Sequence, residues 1–367
     1  MKKNLPDYIF LFAVLALTGI GLIMVFSASP TMALKLGDSY YFLKRHILYL
    51  LLGFSALYCG VRLDLQLLKK WSTLIFVISV ILLLIVFIPG VGRRLSGAAR
   101  WIDLGIFTLQ PSELMKFTMV LLLASQLSRI KTGIKNFVSG LLPLLTLVGL
   151  VSVIIIVQPD LGTAIAIAST AMVMFFVAGA EMGQLALIGG FGIVTVLTLA
   201  LKSTYRLKRL LAFVDPWSDP QGIGFHIIQS LLAVGSGGLT GLGLGASRQK
   251  FFYLPQQFTD FIFAILCEEL GFIGGLVVII LFIVFIGRGL RIAMTTKDEF
   301  HSLLTTGLIT WLGFQAIINI MVVVGLLPTT GIPLPFISYG GSATIISLFA
   351  VGIIFNISGQ PKKVVAK

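Results

Sequence analysis

Long apolar runs, each separated from the next by a short polar or Gly/Pro-containing stretch, recur from one end of this chain to the other. The first lies at about Tyr8 to Phe26, and others lie near residues 46–61, 71–89, 112–128, 137–157, 162–179, 183–200, 260–286, 302–324 and 339–357. A helix crosses a bilayer with about 20 predominantly apolar residues. The pattern therefore predicts an all-α polytopic membrane protein of about ten transmembrane helices, forming a single integral membrane domain over residues 1–367. Ser27-Ala-Ser29 has the small-residue character of a signal-peptidase site. The run before it is long for a signal segment and many more spans follow, so a retained first helix is expected.

Two connections break this rhythm. The first is long, residues 201–259 between helices 7 and 8. Within it, Lys202 to Phe213 sets cations against Leu207, Leu210, Leu211 and Phe213 at helical spacing, which predicts an amphipathic helix lying in the interface. Asp215-Pro-Trp-Ser-Asp-Pro220 is a turn cluster. The run Gly235 to Gly245 has no strand–turn–helix unit around it and is no nucleotide fingerprint. Its glycines suit close backbone packing or loop movement. The second connection, Gly325 to Ser342 between helices 9 and 10, holds three prolines and four glycines yet is apolar. Irregular backbone at membrane depth survives only where protein or a cavity covers it. A re-entrant-like loop lining a site is expected, with Ser338, Tyr339 and Ser342 supplying hydroxyls. Gln315 and Asn319, four apart on the ninth span, are expected to face the same interior.

Composition agrees: 57% of residues are hydrophobic, 11% are charged and the mean hydropathy is +1.04, against about 25% charge in soluble domains. Cys59 and Cys267 fall in separate apolar runs and suggest neither a disulfide framework nor a metal site. Charge changes the picture more. The N-terminus, the C-terminal tail and the loops near 62–70, 129–136 and 287–299 hold 14 Lys and Arg, while the opposite side holds 12, six of them in the long connection. Long loops weigh little in orientation, so both termini are expected in the cytoplasm. The outer side is nonetheless basic, with Lys44, Arg45, Arg93, Arg94, Arg100, Lys202, Arg206, Lys208, Arg209, Arg248 and Lys250. An anionic ligand handled there, such as a lipid phosphate, and general headgroup attraction both account for it. Nucleic acid does not fit charge arranged in this way.

Within the spans, ionisable groups are costly and mark function by default. Asp260 stands at the mouth of the eighth span, with Glu268 and Glu269 further in; as a helix cap, Asp260 would be structural. Glu113 and Lys116, three apart, share a helix face and suit either an ion pair or a ligand path. Asp160, in Gln158-Pro-Asp-Leu-Gly-Thr163, is placed to cap the sixth helix.

Taken in order, Gln110-Pro-Ser-Glu-Leu-x-Lys116, Gln158-Pro-Asp-Leu-Gly-Thr163, Phe213-x-Asp-Pro-Trp217, Gln229-Ser-Leu231 with the glycine run, Leu254-Pro255 with Thr259-Asp-Phe-Ile-Phe-Ala264 and Glu268-Glu269, and Pro335-Phe-Ile-Ser-Tyr-Gly-Gly-Ser342 carry a resemblance. The chain resembles the SEDS family (shape, elongation, division and sporulation), its FtsW/SpoVE-like branch more than RodA. The resemblance implies a bacterial cytoplasmic-membrane glycosyltransferase that polymerises lipid II by inverting transfer at the outer face, beside a class B penicillin-binding protein and other division or sporulation proteins. Joining lipid-linked sugars needs a base for the acceptor hydroxyl and positive charge for the departing pyrophosphate. Asp260 is expected as the base, its acidity strengthened by the positive helix end, which also makes it compatible with a divalent cation (Mg or Mn). Arg45, Lys116, Arg248 and Lys250 are expected on the pyrophosphate. Glu113, Asp160, Gln315, Asn319, Ser338, Tyr339 and Ser342 are expected to line the substrate site. A lipid II flippase would use the same intramembrane charges. A non-catalytic divisome scaffold would leave them without a role.

Overall fold

The computed structural model describes residues 5–95, 98–103, 105, 108–250 and 257–361. Leu254 and Pro255 of the motif series, with the terminal lysines Lys2, Lys3, Lys362, Lys363 and Lys367, lie outside the described residues. Thirteen α-helices follow in order among the described residues: α1 (Tyr8–Ala28), the short α2 (Pro30–Ala33), α3 (Tyr41–Arg62), α4 (Leu65–Ile85), α5 (Pro111–Ile130), α6 (Leu142–Val157), α7 (Leu161–Val177), α8 (Met182–Lys202), α9 (Thr204–Val214), α10 (Phe225–Ser236), α11 (Ile262–Thr295), α12 (Glu299–Val323) and α13 (Gly341–Ser358).

Each of the ten predicted runs coincides with one long helix, and eight of these helices are long and apolar enough to cross a membrane. The other two differ for physical reasons. Helix α7 has only 17 residues, while α5 carries Glu113, Lys116 and other polar side chains and is buried along most of its length, shielded by its neighbours. Three expectations need correction. The chain is mostly helical rather than all-α, because a three-stranded antiparallel sheet forms from β1 (Gly92–Leu95), β2 (Ala98–Asp103) and β3 (Thr108–Leu109) between α4 and α5. The long connection holds not only the amphipathic helix, seen as α9, but also α10. Helix α11 runs to Thr295, well past the expected end near 286, because the more polar stretch after Ile286 contains no proline to stop it.

Close backbone approach organises the packing. Along the contact of α3 with α13, a Cβ on Gly60 would lie 2.8 Å from the Phe349 carbonyl, and one on Gly352 would lie 2.2 Å from the Leu57 carbonyl. Small residues give helices in lipid the van der Waals contact that replaces a hydrophobic drive. Asp7 gathers the chain ends at one face. It caps α1 by accepting from the Phe10 amide (3.1 Å), its own amide donates to Ser358 Oγ (3.0 Å), and Arg288 pairs with its carboxylate at 2.6 Å.

Helix α11 is broken. Gly271 has φ 67° and ψ −167°, a conformation reserved for glycine. The break withdraws the amides of Phe272 and Ile273 from the carbonyls of Glu268 and Glu269, four residues back. The glycine run takes both sides of the exchange: Leu242 and Gly243 donate to the Glu268 and Glu269 carbonyls (3.0 Å each), and Phe272 and Ile273 donate to Gly238 (2.8 Å) and Leu239 (3.2 Å). Bare backbone is required for this fit. A Cβ on Gly237 would lie 1.9 Å from the Cys267 carbonyl, and one on Gly241 would lie 2.2 Å from the Glu269 carbonyl. The sequence left packing and movement open for these glycines; the fold assigns them to packing.

Gly241 also has φ +83°, and its Gly241→Ala variant is expected to lose about 2–4 kcal/mol through strain and clash together. Gly183→Ala, where nothing lies within 4 Å of the added methyl, is the control and should be near neutral. Thermal unfolding in detergent, followed by tryptophan fluorescence, checks this; equal midpoints for the two variants would remove the packing role.

Candidate active site

Asp260 lies in the turn just before α11 and outside the spanning helix. It does not cap that helix: Phe261 occupies the cap position and no side chain caps it, which sets aside the structural alternative. The segment is held instead by α12 and the loop between α12 and α13. Asn319 Nδ2 donates to the Asp260 carbonyl (2.7 Å) and to the Ile332 carbonyl (2.8 Å). Ser338 Oγ donates to the Thr259 carbonyl (2.5 Å), and the Tyr339 amide donates to the Phe258 carbonyl (2.9 Å).

The loop itself, Gly325 to Gly340, is non-helical and carries Leu334, Phe336 and Ile337 buried within the protein. Its polar backbone finds partners locally, as when the Leu334 amide donates to Ser338 Oγ at 2.8 Å, and protein cover makes irregular backbone tolerable here. Gly331 passes close to the acid, so that a Cβ there would lie 3.7 Å from Asp260 Oδ2.

Asp260 is half-buried. Burial pushes it up from an ordinary value of 3.8 to about 6; the Arg209 guanidinium opposes this, the Asp160 carboxylate reinforces it, and Arg100 opposes it more weakly. The expectation that the helix end would make Asp260 more acidic is therefore reversed, because desolvation outweighs the positive groups. Asp160 performs the capping expected of it, accepting from the Thr163 amide at 3.2 Å, and is also an electrostatic neighbour of Asp260.

The two cations acting on Asp260 are Arg209, from the amphipathic α9, and Arg100, from β2. Both are anchored. Arg209 donates to the Thr329 carbonyl (2.8 Å) and to Tyr205 Oη, and its guanidinium stacks 4.6 Å from the Tyr205 ring centre. Arg100 donates to the carbonyls of Gln158 (2.8 Å) and Pro159, and lies 4.0 Å from Asp160. Sequence reasoning counted both among the outer charges without assigning them to the acid. The signal for Arg209 was its place on a helix rich in cations; Arg100 had none beyond its charge.

Two of the cations expected on the pyrophosphate, Lys250 and Lys116, are paired with acids inside the protein. Lys250 is buried and bridges to Glu269 at 3.2 Å. Arg248 is exposed, and its backbone amide donates to Glu268 at 2.8 Å. Together with the Ser247 hydroxyl on Glu268 and the Ser27 hydroxyl on Glu269 (2.6 and 2.7 Å to the two oxygens), these bonds satisfy both inner acids. Lys250 is thus engaged within the protein, because two desolvated carboxylates demand partners. Lys116 pairs with Glu113 at 2.7 Å, both buried, beside a cavity of about 10 Å³. That space takes a water and excludes a sugar, so this pair stands as a structural ion pair.

Arg45 stacks 4.8 Å from the Tyr41 ring centre, next to the aromatic group of Phe42, Tyr49, Phe258 and Tyr339. Ser342 Oγ donates to the Thr108 carbonyl (2.8 Å) and accepts from the Gln110 amide (2.9 Å), tying α13 to β3 and α5. Gln315 is buried one turn before Asn319. Of the expected lining residues, the structure therefore brings Asn319, Ser338, Tyr339 and Asp160 to Asp260. For a divalent cation, the described residues hold no group of three His, Cys, Asp or Glu side chains that could bind one, and Arg209 and Arg100 already supply positive charge. This donor set does not fit a protein-built cation cage, and no step below is routed through one.

The family model for the cell cycle proteins FtsW, RodA and SpoVE matches residues 8–363. The chain is 48% identical to stage V sporulation protein E of Bacillus subtilis (strain 168), over 97% of this chain and 98% of that protein. It is 42% identical to a probable peptidoglycan glycosyltransferase FtsW of Geobacter sp. (strain M18), over 96% of each. In backbone it resembles a chain from a peptidoglycan synthase complex that coordinates polymerization and crosslinking (TM-score 0.78, 28% identity, 96% and 97% covered). It also resembles the Thermus thermophilus rod shape determining protein RodA (TM-score 0.71, 27% identity, 96% of each chain covered). Matched end to end in both sequence and backbone, the chain belongs to the FtsW/RodA/SpoVE family of cell cycle proteins.

Proposed function

We propose that this protein is a peptidoglycan glycosyltransferase that polymerises lipid II at the outer face of the bacterial cytoplasmic membrane, in cell division or sporulation. With ten spans and both termini in the cytoplasm, as the charge distribution favours, Asp260 would stand at that face. A class B penicillin-binding protein beside it would cross-link the product, in keeping with the synthase complex whose chain shares this backbone. The observation that carries the reading is Asp260 itself: a half-buried carboxyl with a pKa of about 6, held by backbone bonds and flanked by two anchored guanidiniums.

The chemistry follows from that arrangement. A carboxylate titrating near 6 is ionised at neutral pH and still basic enough to take a proton as it becomes acidic in the transition state. Asp260 accepts the proton of the acceptor sugar hydroxyl while that oxygen attacks the anomeric carbon of the donor. The bond from that carbon to the pyrophosphate oxygen breaks, the anomeric configuration inverts, and the lipid pyrophosphate leaves with the electron pair. Arg209 and Arg100 face the charge that develops on the leaving group. Their bonds to carbonyls hold them in place beforehand, so little reorganisation is needed as the bond breaks. The guanidinium has five N–H donors, and those not bound to carbonyls remain for phosphate oxygens.

The test is polymerisation of labelled lipid II by the purified protein with its penicillin-binding partner in detergent. Glycan chains support the enzyme; transfer between leaflets without polymer would support a flippase instead. Asp260→Ala should lower polymerisation at least about 100-fold while the protein still folds. For the wild type, activity should fall as pH drops through about 6, because the base becomes protonated. The same shift makes the folded chain bind a proton more tightly than the unfolded one. Stability should therefore decline as pH rises from about 4 to 6 and level off above. Asp260→Asn should remove that decline while remaining inactive, and a wild-type pH profile in this variant would exclude Asp260 as the base.

The arginines give a separate test. Arg209→Lys keeps the charge but loses the planar fork, so turnover should fall about tenfold or more, whereas Lys250→Met should act through stability. Wild-type turnover in Arg209→Lys would show that only diffuse charge matters.

A further inference from the structure

The end of the bundle away from Asp260 carries a second pocket. His301 lies 18 positions before Asn319 on α12, about 27 Å along the helix axis, and Asn319 holds the Asp260 backbone. There the turn between α3 and α4, the start of α12 and the end of α13 enclose about 590 Å³, lined by Tyr58, Arg62, Asp64, Gln66, His301 and Asn356 among others. Its floor is fixed, because Asn356 Nδ2 donates to the carbonyls of Gly60 (3.2 Å) and Leu63 (2.8 Å).

Three residues lining this pocket have unused bonding capacity. The Arg62 guanidinium lies 5.4 Å from the Tyr58 ring centre and forms no ion pair with any described residue. His301 is only 8% exposed, yet its Nε2 has no hydrogen-bond partner, while Nδ1 lies 3.8 Å from Asp298. Asp64 accepts from the Gln66 amide through Oδ1 at 2.8 Å, leaving Oδ2 for another donor. Lys69, 5.2 Å from the Phe300 ring centre, adds positive charge nearby. A buried imidazole nitrogen left unpaired is costly and calls for a partner.

From these groups we infer that the pocket binds the headgroup of an anionic phospholipid bearing hydroxyls, of the phosphatidylglycerol kind, in the leaflet on the side of the two chain termini. The phosphodiester meets Arg62, whose fork suits two phosphate oxygens. With Asp298 favouring a proton on Nδ1, His301 Nε2 is an acceptor, and it takes a headgroup hydroxyl. Asp64 Oδ2 takes the other. The apolar surroundings explain why the phosphate comes on a lipid: Tyr58, in the pocket lining, is 59% exposed, and Leu67, next in sequence to the lining residue Gln66, is 50% exposed, and both offer apolar surface to acyl chains. This site stands independently of the reaction at Asp260.

The experiment uses the full chain in bilayer discs of phosphatidylcholine with phosphatidylglycerol or phosphatidylmethanol, released for native mass spectrometry. Phosphatidylmethanol keeps the anionic phosphodiester and lacks the hydroxyls. Wild type should retain phosphatidylglycerol over phosphatidylcholine. Arg62→Gln, at an exposed residue whose loss leaves the core intact, should weaken retention at least about tenfold. His301→Phe should erase the preference for phosphatidylglycerol over phosphatidylmethanol while leaving retention of phosphatidylmethanol unchanged, which a merely unfolded protein would not do. Displacement by free glycerol phosphate at concentrations below those of the lipid would show that a soluble phosphate fills the site and overturn the lipid assignment. Unchanged retention in Arg62→Gln, or equal retention of phosphatidylcholine by wild type, would overturn the proposal.

Discussion

The break in α11 at Gly271 is the constraint on which the rest of the structure depends. In hydrocarbon there is no water to satisfy backbone groups released by a break, so the four that open at Glu268, Glu269, Phe272 and Ile273 must be met by other backbone. The run from Gly237 to Gly243 meets them, and it can do so because Gly237 and Gly241, where the two backbones come closest, carry no side chain. Once it is fixed there, the following residues must pass over the two acids. Ser247, Arg248 and Lys250 then donate to carboxylates that would otherwise face an apolar interior. Removing a partner from such a pair leaves a buried charge, which costs far more than the pair itself contributes.

Asp260, eight residues before Glu268, is treated in the opposite way. The inner acids are surrounded by donors, whereas at Asp260 the protein directs its hydrogen bonds to the backbone of the turn and leaves the carboxyl desolvated with its oxygens open. The bonds from Asn319 and Ser338 fix where the acid stands without making it more acidic. Two arginines lower its pKa and one aspartate raises it, but burial decides the balance. Arg209 is held by a main-chain carbonyl and Arg100 by two, with Asp160 at 4.0 Å from Arg100, so positive charge remains for a ligand at Arg209 above all.

Cations elsewhere divide by the same logic. Lys116, Lys250 and Arg288 are each paired with an acid within the bundle or at its end, and they hold helices together. Arg62 lines a pocket, and Arg209 is held by a main-chain carbonyl and Tyr205 with donors left to offer. The chain uses one residue type for two purposes, and the difference lies in what each faces across the fold.

The sequence by itself determined the helices, the order of the connections and the family. Apolar runs of membrane length have one solution, since a helix satisfies its own backbone, and prolines and glycines after Gly325 forbid continuing it. It also marked Asp260 as a candidate, because an acid at the mouth of an apolar run is costly unless it caps the helix, and the fold shows that it does not cap it. The small sheet after α4, helix α10 and the length of α11 were not legible, because short elements near the interface lack a strong apolar period. Nor could the sequence say that Lys250 and Lys116 are paired internally while Arg209 and Arg100 reach the acid. Lys250 lies 10 positions from Asp260 and Arg100 lies 160 away. Chain separation carries no information about electrostatics; distance and burial do, and only tertiary packing sets them.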